Sequence, residues 1–190
     1  ATVAAASGSF LLGIVAAIAA AGLAGMIVEI LLLRRLYRRE HLAQVLATFG
    51  LILFCNELTR MIWGRQPLFM EAPPWLAGSI ELLPQLFYPA YRLAVIAVGL
   101  LVAVLLWFLL ARTRLGMRIR AGASNREMIA ALGVNINLLY TLVFGLGALL
   151  AGLAGVMAGP ILAVESGMGE SILILAFVVI VIGGIGSVRG

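Results

Sequence analysis

The chain has 190 residues, 64% of them hydrophobic and 11% charged, with a formal net charge of +5 and a mean hydropathy of +1.16. That composition lies outside the range of a soluble domain and makes this an integral membrane chain. It holds no Asp, no Lys, one His and one Cys, which excludes a disulfide framework, a thiolate metal site, a Ser/His/Asp set and a G-x-x-x-x-G-K-[ST] nucleotide loop, so neither catalysis nor a cofactor is expected.

A hydrocarbon core of about 30 Å takes roughly 20 apolar residues in a helix. Five runs qualify in chain order: Phe10–Leu33, Leu42–Gly64, Tyr91–Ala111, Leu138–Pro160 and Ser171–Gly186. They are continuous rather than alternating, which favours helices over a barrel. The expectation is an all-α membrane protein, a polytopic helical bundle with about five transmembrane spans.

The first run has no positive charge ahead of it and its arginines follow it, the reverse of a secretory signal, so it is read as a retained span. It carries small residues every fourth position, Gly13, Ala17, Ala21 and Gly25, as the fourth run does at Gly147, Ala151, Gly155 and Gly159. Such stripes allow close helix packing, or sliding of one helix on another.

After the first run come Arg34, Arg35, Arg38 and Arg39, then His41, a polar residue at a membrane edge with no catalytic or metal role assigned. Cys55 in the second run reads as a small core residue. Beside it, Asn56 and Glu57 lie in the outer part of that span; Glu57 and Arg60 have the spacing of a pair, and charge inside a span marks a candidate for the translocation path.

Gln66–Pro89, with Pro73-Pro74-Trp75, reads as an outer loop with an interfacial anchor. Glu165, Glu170 and the Gly167-Met168-Gly169 turn are read in the same way. The Arg-rich segments after the first and third runs face the cytoplasm by the positive-inside rule, which puts the amino end outside. Because the arginines alternate between loops instead of sharing one face, nucleic acid is excluded as a partner, and lipid headgroups are natural contacts.

Between the third and fourth runs, residues 112–137 form a polar insert with Arg112, Arg114, Arg118, Arg120 and Arg126. Ser124-Asn125-Arg126-Glu127 has the form of a capping box, with Ser124 as the cap, so a helix is expected to begin near Asn125. Gly133 sits where a left-handed residue ends a helix, which limits it to about two turns. At the far end Gly183, Gly184, Gly186 and Ser187 interrupt helix; they serve either as a cytoplasmic turn or as exposed backbone lining a path.

Thr113-Arg114-Leu115-Gly116-Met117-Arg118-Ile119-Arg120-Ala121, followed by Ala130-Ala131-Leu132-Gly133-Val134-Asn135, resembles the permease subunits of branched-chain amino-acid ABC importers. Ala154–Pro160, Ala176–Gly190 and Glu29 through Leu51 continue the resemblance, which covers roughly Glu29 to Gly190 and looks closer to the first of the two paired permeases. The family's amino-terminal span and the spans after the Gly-rich ending are missing, and the chain opens on Ala, so it looks like an excerpt of a larger protein.

The resemblance implies a single permease domain over 1–190 in the bacterial inner membrane, with 112–137 as its cytoplasmic coupling loop. ABC importers carry an E-A-A-x-x-x-G helix that docks into an ATPase; Glu127 and Gly133 keep that offset, with Met128 and Ile129 in place of the alanines. By resemblance Ser124–Gly133 is the coupling helix, with Arg118, Arg120 and Arg126 supporting it. The implied partners are a second permease subunit, two cytoplasmic ATPase subunits and a periplasmic or extracellular substrate-binding protein. Relatives handle branched-chain or other amino acids, urea or short amides. A secondary transporter, a structural membrane subunit and a membrane enzyme stand as alternatives; the last lacks a convergent set of titratable groups.

Overall fold

The computed structural model describes residues 10–37, 39–64, 66–67, 73, 76, 78–83, 86–162, 164–165 and 167–183. In chain order the elements are α1 (Phe10–Val28), a π-helical turn (Glu29–Leu33), α2 (Arg34–Leu36), α3 (His41–Trp63), β1 (Ser79–Leu83), β2 (Leu86–Pro89), α4 (Ala90–Arg112), α5 (Arg114–Ser124), α6 (Arg126–Ala131), α7 (Ile136–Ala158) and α8 (Met168–Gly183). The architecture is an all-α polytopic membrane bundle with, among the described residues, one small hairpin.

Among the described residues, four helices are long and apolar enough to cross a bilayer: Leu12–Leu36, Leu42–Trp63, Ala90–Arg112 and Ile136–Ala158. They coincide with the first four expected spans to within a few residues. The fifth expected span, Ser171–Gly186, is helical over its described part: α8 covers 16 residues, Met168–Gly183, about 24 Å at 1.5 Å per residue. Gly184, Gly186 and Ser187 lie outside the described residues.

Apolar side chains on these helices point outward: Leu100 (64%), Val104 (63%) and Trp107 (62%) on α4 are more than half exposed. In lipid there is no penalty for this, since hydrocarbon is as apolar as leucine, and packing is left to close backbone approach. Cys55, expected in the core, is exposed on α3 for the same reason.

The main helix–helix pairing joins α1 to α7. A Cβ added at Gly152 would meet the Ala21 methyl at 2.5 Å, one at Gly22 the Leu149 side chain at 2.5 Å, and one at Gly145 the Met26 side chain at 2.8 Å; Gly25 lies against the Ala148 methyl. Ala17, Ala21 and Gly25 of the first stripe therefore do face the partner helix. Gly147 and Gly155 of the stripe expected on the fourth span do not: a Cβ added at either would meet nothing within 4 Å among the described residues, and the contact face runs through Gly145, Ala148 and Gly152 instead. Two sets of small residues share α7, and spacing alone does not say which one meets a neighbour.

The segment after α3 contains a hairpin where a loop was expected. β1 and β2 pair antiparallel, Ser79 with Pro89, Ile80 with Tyr88 and Glu81 with Phe87, with an irregularity before Leu83–Leu86. Pro89, which has no amide hydrogen to give, ends the strand and becomes the N-cap of α4. Each strand is too short to show a clear period of two. Tyr91, buried at the start of α4, donates its hydroxyl to the Met157 carbonyl at 3.0 Å and ties the start of α4 to the end of α7.

Candidate functional site

The polar insert folds as two helices. Thr113, in extended conformation, caps α5: its hydroxyl accepts from the Gly116 amide at 3.1 Å and donates to the Leu109 carbonyl at 2.5 Å. Gly116 is buried against the Leu109 and Leu110 carbonyls, where any Cβ would collide with backbone, so the abrupt turn out of α4 requires glycine there. The Arg120 guanidinium donates to the Leu110 carbonyl, capping the end of α4. Arg120 thus serves this turn, while Arg118 is exposed and lines a hollow of about 300 Å3 with Leu115, Asn135 and Leu138.

The second helix, α6, begins where expected but with a different cap. Ser124 is the last residue of α5, and Asn125 is the cap, its Oδ1 accepting from the Glu127 amide at 3.1 Å and the Met128 amide at 3.0 Å. Asn is at least as good an N-cap as Ser, and its amide oxygen reaches the second and third helical amides from an extended backbone. Glu127 then lies in the first turn, where the helix dipole favours its charge.

At the other end Gly133 has φ +82°, its amide donates to the Ala130 carbonyl at 3.0 Å, and the Val134 amide donates to the Ile129 carbonyl at 3.3 Å. This is the Schellman arrangement expected of a left-handed glycine. Asn135 immediately caps α7 by accepting from the Leu138 amide at 3.1 Å.

Across this short helix the faces differ. Ile129 is 7% exposed and holds α6 to the bundle, whereas Met128 is 65% and Leu132 76% exposed, next to exposed Glu127. Reading by offset from the glycine singled out Glu127 but missed Met128 and Leu132, although large apolar residues on the polar side of a membrane protein are a signal for a partner surface.

The candidate path residues are not brought to one place. Glu57 pairs with Arg60 at 3.7 Å on an exposed face of α3, as its spacing suggested. Asn56 instead donates to Glu170 at the start of α8 at 2.7 Å. Gly183 ends α8. A groove of about 520 Å3 between α4 and α7, lined only by apolar side chains such as Val95, Gly99, Leu153 and Met157, contains none of these residues.

One polar constellation escaped the sequence reading. Glu29, wholly buried at 0% exposure in the π-helical turn, receives the Thr141 hydroxyl at 2.5 Å and has the Arg34 guanidinium at 3.6 Å. Arg34 also donates to the Thr141 hydroxyl at 2.9 Å. The available signal was a lone Glu inside an apolar run, which by its cost in lipid marks a residue with a task. Nearby, Tyr37 stacks obliquely on Tyr140, ring centroids 5.1 Å apart.

The family model described as "Branched-chain amino acid transport system / permease component" matches residues 1–190. Among curated proteins, the chain is 38% identical over 100 residues to the high-affinity branched-chain amino acid transport system permease protein BraD of Pseudomonas aeruginosa, covering 52% of this chain and 33% of that protein. It is 26% identical to the permease protein LivH of the corresponding high-affinity system in Salmonella typhimurium and in Escherichia coli K12, covering 94% of this chain and 59% of each relative. The chain therefore spans about three fifths of LivH. No solved structure shows a significant match.

Proposed function

Because the chain belongs to the family of permease components of branched-chain amino acid transport systems, we propose that it is the membrane-spanning part of an ATP-driven importer for branched-chain or related amino acids. In this reading α6 is the coupling helix and Asn125–Gly133 the surface through which two separate cytoplasmic ATPase subunits act. A second permease subunit completes the bundle, and a substrate-binding protein delivers cargo on the outer side, where the hairpin lies. The host membrane is the bacterial inner membrane, and the amino end is outside.

The observation that carries this reading is the design of α6. A helix of six residues is too short to persist in water alone. Here it is capped at both ends and held by Ile129, while Glu127, Met128 and Leu132 are presented to solvent. Such a rigid, partly apolar knuckle is suited to a partner that pushes and pulls on it. Work is transmitted because ATP-bound and ATP-free partners contact it differently. Arg118 flanks this surface, and Arg126 begins the helix. Asn56, Glu57 and the Gly183–Ser187 region remain the proposed path residues.

A secondary transporter is the competing reading, favoured by one observation, the buried Glu29 carboxylate within a span. Uptake by the full-length protein with its ATPases in liposomes separates the two. We expect labelled leucine or a related amino acid to enter only with ATP. Entry driven by an ion gradient without the ATPases would overturn the proposal.

A further inference from the structure

The contact between α1 and α7 is built from Gly22, Gly25, Gly145, Ala148 and Gly152 against Ala21, Met26 and Leu149, which is sufficient for association in lipid. Into this apolar seam the chain places a wholly buried carboxylate. Buried ion pairs at best break even with apolar packing, so stability alone does not call for one. What a buried polar pair does supply is register, because sliding one helix along the other separates the partners and leaves charge unpaired.

The geometry here is specific in that sense. The π-helical turn Glu29–Leu33 sets Glu29 and Arg34 on either side of the Thr141 hydroxyl, which accepts from Arg34 and faces both the Glu29 carboxylate and the Asn137 carbonyl at 3.0 Å. The single hydroxyl proton faces two acceptors, and one of the two lone pairs takes the Arg34 donor. π-Helical turns inside α-helices are rare and concentrate at functional positions.

Thr141 lies on the helix that leaves the coupling loop, five residues after the Ile136 start of α7, about 7.5 Å along its axis. The intervening structure is tight: α5 and α6 both contact α7, Leu139 is buried, and Gly122 of α5 approaches the Leu139 side chain.

We infer that Glu29, Arg34 and Thr141 form the joint that carries displacement of the α6 helix into the first span, with Thr141 and Glu29 as positioning residues for transport. This rests on the proposed importer function. Movement of α6 shifts the start of α7; the keyed contact makes α1 follow instead of slipping along its smooth glycine face. Without the key the same seam is a surface on which α7 slides.

The test uses the full-length permease assembled with its ATPases and measures substrate moved per ATP hydrolysed together with the amount of intact complex. Thr141→Val keeps the side chain's shape and removes the hydroxyl, Thr141→Ser restores it, and Glu29→Gln removes the charge. The expected result is a several-fold fall in substrate per ATP for Thr141→Val and Glu29→Gln at normal complex levels, with Thr141→Ser close to the unaltered protein. If Thr141→Val does not assemble, Arg34→Lys on the partly exposed side of the joint should show the same fall. An unchanged ratio in these variants, or transport lost only in proportion to lost complex, overturns the joint. Absence of ATP-driven uptake in the unaltered protein overturns the importer reading, and this inference with it.

Discussion

Asn56 of α3 donates through Nδ2 to Glu170 Oε1 in the first turn of α8, 2.7 Å away and 114 residues along the chain. α3 is otherwise loosely attached to the other helices, and this hydrogen bond links its second half to the start of α8.

A charge-assisted bond of this kind, partly open to its surroundings, should be worth about 1 kcal/mol. In a double-mutant cycle with Asn56→Leu and Glu170→Leu, thermal unfolding of the purified protein should show a coupling of about that size. Strict additivity would mean that α3 and α8 are not joined here.

The cap of α6 makes a sharper distinction between neighbours. Asn125→Ala should destabilise the helix by about 1 kcal/mol, because two amides lose their acceptor. Ser124→Ala should be close to neutral. Hydrogen exchange of the amides in Arg126–Ala131 reports the difference, and equal protection in the two variants would contradict the assignment.

Glycines on α7 divide by face. Gly152→Ala puts a methyl 2.5 Å from that of Ala21 and must push α1 away, lowering stability. At Gly155 there is open space within 4 Å, and alanine there should be neutral or stabilising by up to about 1 kcal/mol through helix propensity. Thermal midpoints of the two variants in one detergent test this, with opposite signs expected.

Tyr37, the residue after α2, has its phenol raised above the ordinary 10.0, first by burial, then by the Glu29 carboxylate and Tyr140, against a lowering by Arg34. A raised pKa in an acid means that the folded state holds the proton more tightly. The associated stability is present below pH about 10 and is lost as pH rises through the folded value. The ultraviolet difference titration between the unaltered protein and Tyr37→Phe should show a phenol ionising above 10; a midpoint at or below 10 would contradict the burial of this ring.

Much of the bundle was legible because spans are long and continuous: the first four runs were placed to within a few residues, and Gly133 announced the end of α6. What failed was local competition between adjacent donors and acceptors. Ser124 and Asn125 are both good caps, and only the course of α5 decides that Ser124 is spent inside a helix. Likewise two glycine stripes compete on α7, and the hairpin strands are too short to display their period. Glu29 was legible in principle, but its meaning depends on Thr141, 112 residues away, which no local pattern connects to it.

The central claim is that α6 is the surface on which a separate motor acts. Its most direct test is a cysteine cross-link from Glu127→Cys in the full-length permease to a co-expressed ATPase subunit, in a complex that still transports. The account predicts an efficient link whose yield changes between ATP-bound and ATP-free states. An active complex that gives no link from this helix would contradict it.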